Sequence, residues 1–395
     1  MTNKILNLDF SNTEIAFKSK NNSELRTSYL LFKAIGINWL VKIGTPLVET
    51  AFALHLPIKP IIKKTVYKQF VGGESITECE LAIDNLYKYH IGTILDYSVE
   101  GKEAEEDFDY TCKETIDTIN KAKDNPKIPF CVFKVTGVAR FALLEKVNNN
   151  EMLTVEEAAE YQKVVSRIEK ICKAAYDNNV RLFIDAEETW IQLAIDNLAT
   201  AMKEKFNKQQ AIVYNTLQMY RHDRLAFLKE SHQHALANNY FLGVKLVRGA
   251  YMEKERARAQ TLNYLDPIQT TKENSDKDYN NSLIYCIENI ERISICAGTH
   301  NEDSSRLLAQ LMLDANIVND DKRIFFSQLY GMSDNLSYNL ANAGYNVAKY
   351  LPYGPVKAVM PYLFRRAAEN TSVAGQTGRE LNLILKERAR RAASK

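Results

Sequence analysis

Near the C-terminus, Tyr362, Arg365, Arg366 and Glu369 stand at i, i+3, i+4 and i+7. On a helix that spacing puts all four on one face. A surface helix with an Arg–Glu pair is one reading, but the base precedes the acid, the less favourable order for helix support. Adjacent guanidiniums repel unless an anion sits between them, and each offers a planar fork of donors suited to a carboxylate. Glu369 could accept a hydrogen bond from an amine. The set describes a receptor for an α-amino or imino acid. Further upstream, polar residues close a series of short apolar runs: Lys134 and Thr136, Asp185 with Glu187 and Glu188, Gln218, Lys245 with Arg248, Thr299-His300-Asn301, and Tyr350. Each alone is an ordinary solvated strand end. Repeated from run to run they point to a common mouth, because buried charge is costly unless paired or used. His232 and His234 form an HxH pair without a third ligand nearby, and read as surface residues rather than a metal site. No metal is expected.

The elements that must position these residues follow from the runs. They cover residues 91–98, 129–136, 180–187, 211–218, 243–249, 293–299, 323–329 and 345–351. Near-continuous apolar character suits strands buried on both faces, as in parallel sheets. Amphipathic segments lie between them. One runs from Val155 to Asn179 and opens with a capping box, Thr154 and Glu157. Eight such units predict an α/β fold, a (βα)8 TIM-type barrel spanning 91–395, with residues 1–90 as an N-terminal helical arm. Its chemistry belongs at the C-terminal ends of the strands. A doubly wound open sheet is the alternative, weakened because no GxGxxG follows the first run. The polar stretch 263–280, with Asp266-Pro267, reads as a long loop after the fifth strand.

The formal net charge of +2 over 395 residues argues against a large nucleic-acid footprint. Six scattered cysteines without a CxxC pair read as reduced, mostly buried thiols. The first twenty residues lack a continuous apolar core, so no secretory or transit signal is expected. The most apolar stretch, Ile37 to Ile62, is interrupted by Lys42, Glu49, His55, Lys59 and three prolines. It is expected to fold as short helices rather than span a bilayer, with membrane-surface contact as the lesser reading. The expected location is cytoplasmic, at the inner face of a membrane if that contact exists.

Four motifs sharpen the picture: VKLVRGAY (244–251), FIDAEE (183–188), THN (299–301), and the Tyr350-x-Pro-x-Gly sequence followed by Tyr362-Leu-x-Arg-Arg-x-x-Glu-Asn. Together they resemble the proline dehydrogenase family, from about Phe70 to the C-terminus. The stretch KLVRGAYMEKERARA is most similar to the monofunctional, mitochondrial-type enzymes. The resemblance implies FAD at the barrel mouth, contacted by Gln218, Lys245, Arg248, Gly249, Ala250, Thr299, His300 and Asn301. It implies that Arg365, Arg366 and Lys134 hold the carboxylate of L-proline, that Glu369 orients its nitrogen, and that Tyr350, Leu329 and Tyr362 line the ring pocket. Asp185 would pair with Lys134 or Arg365. Bifunctional relatives usually exchange the residue types at Lys245 and Arg248, so which cation faces flavin N5 is open. The implied product is Δ1-pyrroline-5-carboxylate, and the implied acceptor a membrane quinone. A tyrosine at 350, where hydroxyproline-oxidising relatives usually carry a smaller residue, implies preference for proline over 4-hydroxyproline. No aldehyde dehydrogenase segment follows, so the second oxidation is expected on another chain. Two readings from other classes stand beside this one. One is a flavin-free lyase or aldolase using Lys134 or Lys245 as a Schiff base. The other is a non-catalytic amino-acid-binding barrel.

Overall fold

The computed structural model describes residues 6–99, 103–372 and 376–394, apart from the side chains at 38–42, 49, 368–372 and 376–377. Each of the eight apolar runs coincides with or overlaps a strand: β1 (Ile91–Tyr97), β2 (Phe130–Phe133), β3 (Arg181–Ile184), β4 (Val213–Gln218), β5 (Leu242–Val247), β6 (Ile293–Gly298), β7 (Ile324–Leu329) and β8 (Val347–Tyr353). They close in sequence order into a parallel barrel, which excludes the open doubly wound sheet. The chain forms two compact units, one comprising Met1–Leu6 with Gly101–Ser327, the other Asn7–Glu100 with Gln328–Lys395.

The first unit carries β2 to β6 and the first four residues of β7. Its interior is filled near the strand starts by Phe130, Phe183, Tyr214 and Phe325. Phe130 stacks on Phe183 at 4.3 Å between centroids and meets Phe325 edge-on at 4.9 Å. Arg181 lies over Phe130 and Phe325 at 5.5 and 5.3 Å. This aromatic plug leaves the opposite strand ends for polar work. The Val155–Asp177 helix forms with the expected capping box, Thr154 and Glu157 satisfying each other's backbone N–H groups. The stretch 263–280 differs from expectation. Only 263–271 is loop, and a helix from Lys272 to Glu288 follows, capped by the Thr271 hydroxyl on the Asn274 N–H at 3.2 Å. Its first two turns bury only Ser275 and Tyr279, so apolar periodicity starts too late to announce the helix.

The second unit carries β1 and β8, paired from Ile91↔Val347 to Tyr97↔Tyr353. Helices of the N-terminal arm pack here with the C-terminal helices, burying Phe17, Leu25, Phe32, Phe70, Leu363 and Ile384 in one core. The arm is helical as expected, but not only in short pieces. A 16-residue helix, Asn38–Ala53, runs through Pro46. An interior proline costs about 3 kcal/mol and reads as a breaker; here it is tolerated. Among the described residues, no helix is long and apolar enough to cross a membrane.

Candidate active site

The mouth of the first unit is built from the residues that close β2 to β6. Lys245 pairs across the sheet with Thr216 of β4 and Cys296 of β6. It is 4% exposed, and its Nζ donates to Asp185 Oδ1 in a buried ion pair. The Thr216 hydroxyl reaches the same carboxylate oxygen at 3.4 Å, and the Phe183 ring lies 5.1 Å from the ammonium. Asp185 therefore has a partner other than the two expected. Lys245 lies on β5, two strands beyond β3, and only curvature of the sheet brings the two side chains together. Lys134 follows β2 directly, half-buried, just before a short 3-10 turn, Val135–Gly137.

Below these groups lies a fully engaged carboxylate. Glu187 accepts from the Thr136 N–H at 3.0 Å and from the Thr136 hydroxyl, while its own N–H donates to Gln192 at 2.7 Å. Burial pushes its pKa up to about 7, against the pull of the Lys134 charge and the Thr136 hydrogen bonds. Gln218, 2% exposed, donates through Nε2 to the Glu187 carbonyl at 2.7 Å, which sets the orientation of its amide. Glu188 pairs with Lys254.

Arg248 leaves β5 toward β6. Its Nη1 donates to Thr299 Oγ1 at 2.7 Å, its Nη2 to Ser304 Oγ at 3.0 Å and its Nε to Asp276 Oδ1 at 2.6 Å. The guanidinium also covers Tyr279, 4.5 Å from the ring centroid. Asn301 caps the Glu302–Asp314 helix by accepting from the Ser304 N–H at 2.9 Å, so its carbonyl oxygen is committed and its amide N–H₂ is the half left to recognise something else. His300 is half-buried beside it, and Ala250 is exposed. Gly249 has φ of 140°. A Cβ there would lie 2.4 Å from the Tyr220 ring. The glycine is thus already required by packing against Tyr220, a reason distinct from close approach to a cofactor.

In the second unit, Leu329 ends β7 and is half-buried. Tyr350, 9% exposed, lies in the middle of β8 rather than at its end, opposite Ile94. Strand eight runs two residues beyond the apolar run because Pro352 and Tyr353 continue its pairing with β1. Tyr362, Arg365 and Arg366 share the Met360–Ser372 helix. Arg366 is 7% exposed with its guanidinium carbon 5.3 Å from the Tyr362 ring centroid, and Arg365 is half-buried. The Glu369 side chain lies outside the described residues. Sequence reasoning missed Lys349, which neighbours Tyr350 and is wholly buried. The signal was available, a lysine inside an apolar parallel strand.

His232 also departs from expectation. It is 4% exposed and bonds through Nδ1 to the Tyr285 hydroxyl at 2.9 Å, whereas the His234 side chain is 45% exposed near Glu204. Residues two apart on a helix face opposite ways, so one points inward. All six cysteines are buried free thiols. Among the described residues, no group of three His, Cys, Asp or Glu side chains is placed to hold a metal ion.

Comparison with known families decides what kind of enzyme this barrel is. The family described as proline dehydrogenase matches residues 79–379. The chain belongs to the proline dehydrogenase family. Its reaction is proline oxidation, in proline catabolism. It is 32% identical to proline dehydrogenase 1, mitochondrial, of Dictyostelium discoideum, over 98% of this chain and 76% of that protein. It is 30% identical to the hydroxyproline dehydrogenase of Xenopus laevis, over 97% and 90% respectively. The fold matches that of proline utilization A from Bdellovibrio bacteriovorus inactivated by N-propargylglycine, with a TM-score of 0.72 at 20% identity, over 91% of this chain and 38% of that one. For a proline dehydrogenase the mouth is chemically apt. Lys245 and Arg248 bring two cations to the strand ends, each paired with a carboxylate, Asp185 and Asp276.

Proposed function

We propose that this chain oxidises L-proline to Δ1-pyrroline-5-carboxylate with FAD, passing the electrons to a quinone, as the first step of proline catabolism to glutamate. One observation carries the reading: the family match over 79–379 includes both the donor-rich strand ends, Lys134 to Asn301, and the helix bearing Arg365 and Arg366. The donor set suits FAD, which when bound supplies the hydride acceptor. Gln218, Lys245, Arg248, Gly249, Ala250, Thr299, His300 and Asn301 would hold it. Lys245, braced by Asp185, is the buried cation of that set and our candidate for the flavin N5 edge. Arg248, spread over Thr299, Ser304 and Asp276, suits a scaffold role beside it.

On the substrate side, Arg365, Arg366 and Lys134 would grip the carboxylate, and Glu369 would accept from the ring nitrogen. Leu329, Tyr350 and Tyr362 would pack on the apolar ring and keep water away. The ring nitrogen must be unprotonated, so that its lone pair forms the C=N bond as hydride leaves C5. Hydride departure and loss of the N–H proton complete the imine, and the two electrons leave with the hydride. The side chains act by orientation and by electrostatic control of the bound imino acid. Tyr350 would fill the space a 4-hydroxyl needs, giving preference for proline.

We take residues 91–395 as the catalytic barrel and 1–90 as its arm. Ile43, Leu47, Leu54 and Leu56 are exposed on the arm and would serve peripheral contact with the inner face of a membrane, where a quinone is found, in a cytoplasmic setting. The test is an absorption spectrum of the purified protein, then anaerobic addition of L-proline. Flavin absorption that bleaches with proline is the expected result. A colourless protein without FAD affinity would refute the reading, and borohydride trapping of a carbonyl substrate would mark a flavin-free lyase instead.

A further inference from the structure

Lys349 is 0% exposed, in the middle of β8. Its ammonium donates to the Met332 carbonyl, to Asp334 Oδ1 at 3.0 Å and to the Leu329 carbonyl at 3.4 Å. All three acceptors belong to the turn that leaves β7. Asp334 takes a second cation from the arm, Lys20, at 2.8 Å. Glu380 of the C-terminal helix, also buried, accepts from the Ser333 N–H at 2.8 Å. The two lysines and two carboxylates balance, as a buried polar set must if it is to persist.

The turn these groups hold is conformationally demanding. Ser333 has φ of 49° and Gly331 φ of 77°. A Cβ on Gly331 would lie 2.0 Å from the Gln69 carbonyl, and the Gln69 amide donates back to the Gly331 carbonyl at 2.8 Å. The Tyr330 N–H bonds to the Tyr350 carbonyl at 2.8 Å. Backbone of this kind persists only where its surroundings over-determine it, and such segments collect at binding sites. The turn begins at Leu329 and is stitched to Tyr350, two residues assigned above to the substrate ring.

We propose that Lys349 is a positioning residue that, through Asp334 and the carbonyls of Leu329 and Met332, sets the Leu329–Tyr350 wall and with it the discrimination between proline and ring-substituted analogues. The inference rests on the assignment of Leu329 and Tyr350 to the ring pocket.

The test uses the flavin-loaded full chain carrying Lys349→Met, which keeps the length of the side chain and removes its donors. Hydrogen exchange at Tyr330, Met332 and Ser333 reads the turn without reference to activity. Kinetics with L-proline and 4-hydroxy-L-proline read the wall. The expected result is faster exchange at those amides, a larger change in KM than in kcat for proline, and a fall of about tenfold or more in the efficiency ratio of proline to hydroxyproline. Where Lys349→Met does not fold, Lys20→Met carries the test from the partly exposed end of the network, with the same direction and a smaller change. Unchanged substrate ratios in the folded variant overturn the proposal, whether or not exchange quickens, because the network would then be structural only. If the wild-type protein itself fails to oxidise proline, the pocket assignment fails, while the exchange result still reports on the turn.

Discussion

The guanidiniums of Arg365 and Arg366 concentrate the question of function in two side chains. A carboxylate clamped by charge-assisted, bidentate hydrogen bonds is strongly held. Removing one partner of such a pair costs about 2 to 5 kcal/mol, on the order of thirtyfold to several thousandfold in affinity. Arg365→Ala and Arg366→Ala should therefore each raise KM for proline steeply while the flavin spectrum stays intact. Steady-state kinetics beside a spectrum of each variant provide the check, and wild-type kinetics in both would remove the carboxylate clamp. The residue scale also shows how far a motif carries. It nominates Asp185 and Lys245 separately, but their mutual ion pair depends on geometry between β3 and β5.

Elements explain why particular small residues stand where they do. β5 must leave the sheet sharply, since Lys245 lies inside the barrel while Arg248 reaches sideways to Thr299 and Ser304. Gly249 makes that bend, with φ of 140° and the Tyr220 ring filling the place of its side chain. Gly249→Ala meets both backbone strain and a steric clash, and should destabilise the protein by roughly 1 to 3 kcal/mol. Ala250→Gly, one residue on and exposed, is the control and should cost less than 1 kcal/mol or so. Denaturant unfolding of the two variants beside the wild type would measure this, and equal stability of Gly249→Ala and wild type would discard the packing account. The loop after the Met252–Leu262 helix teaches a related lesson. Polar composition concealed a helix whose start is marked by one threonine cap.

Across the whole molecule, ionisable groups shifted by burial or by neighbouring charge bias how stability follows pH. Glu187 is pushed up to about 7 by burial, above the ordinary carboxylate value of 4.5. Between those values the folded protein retains a proton that the unfolded chain has released, so this group makes stability fall as pH climbs through that window. Asp223 and Asp334 act in the opposite sense. Desolvation opposes their charged forms, but neighbouring cations outweigh it and hold both at about 2, below the usual 3.8. Their contribution is present at neutral pH and is lost as pH falls from about 4 toward 2. Glu187→Gln should thus gain stability relative to the wild type as pH rises from 4.5 to 7. Melting temperatures of both proteins across that range would reveal it, and a pH-independent difference would contradict a burial-driven shift.

Eight apolar runs, the Thr154 capping box, and the spacing of Tyr362, Arg365 and Arg366 were all legible in the chain, because each depends on neighbours within a few turns. The residue types at the strand ends were legible too, since a parallel barrel places its chemistry there. Other features required closure of the sheet. Asp185 meets Lys245 across sixty positions. Lys349 stands in an apolar run, but the partners that allow its burial come from the turn after β7 and from the arm, and His232 turns inward while His234 does not. Periodicity reports which face of an element is apolar. It carries no information on which distant polar group waits behind that face, and burial of charge becomes affordable only once the partner has been brought there by the fold.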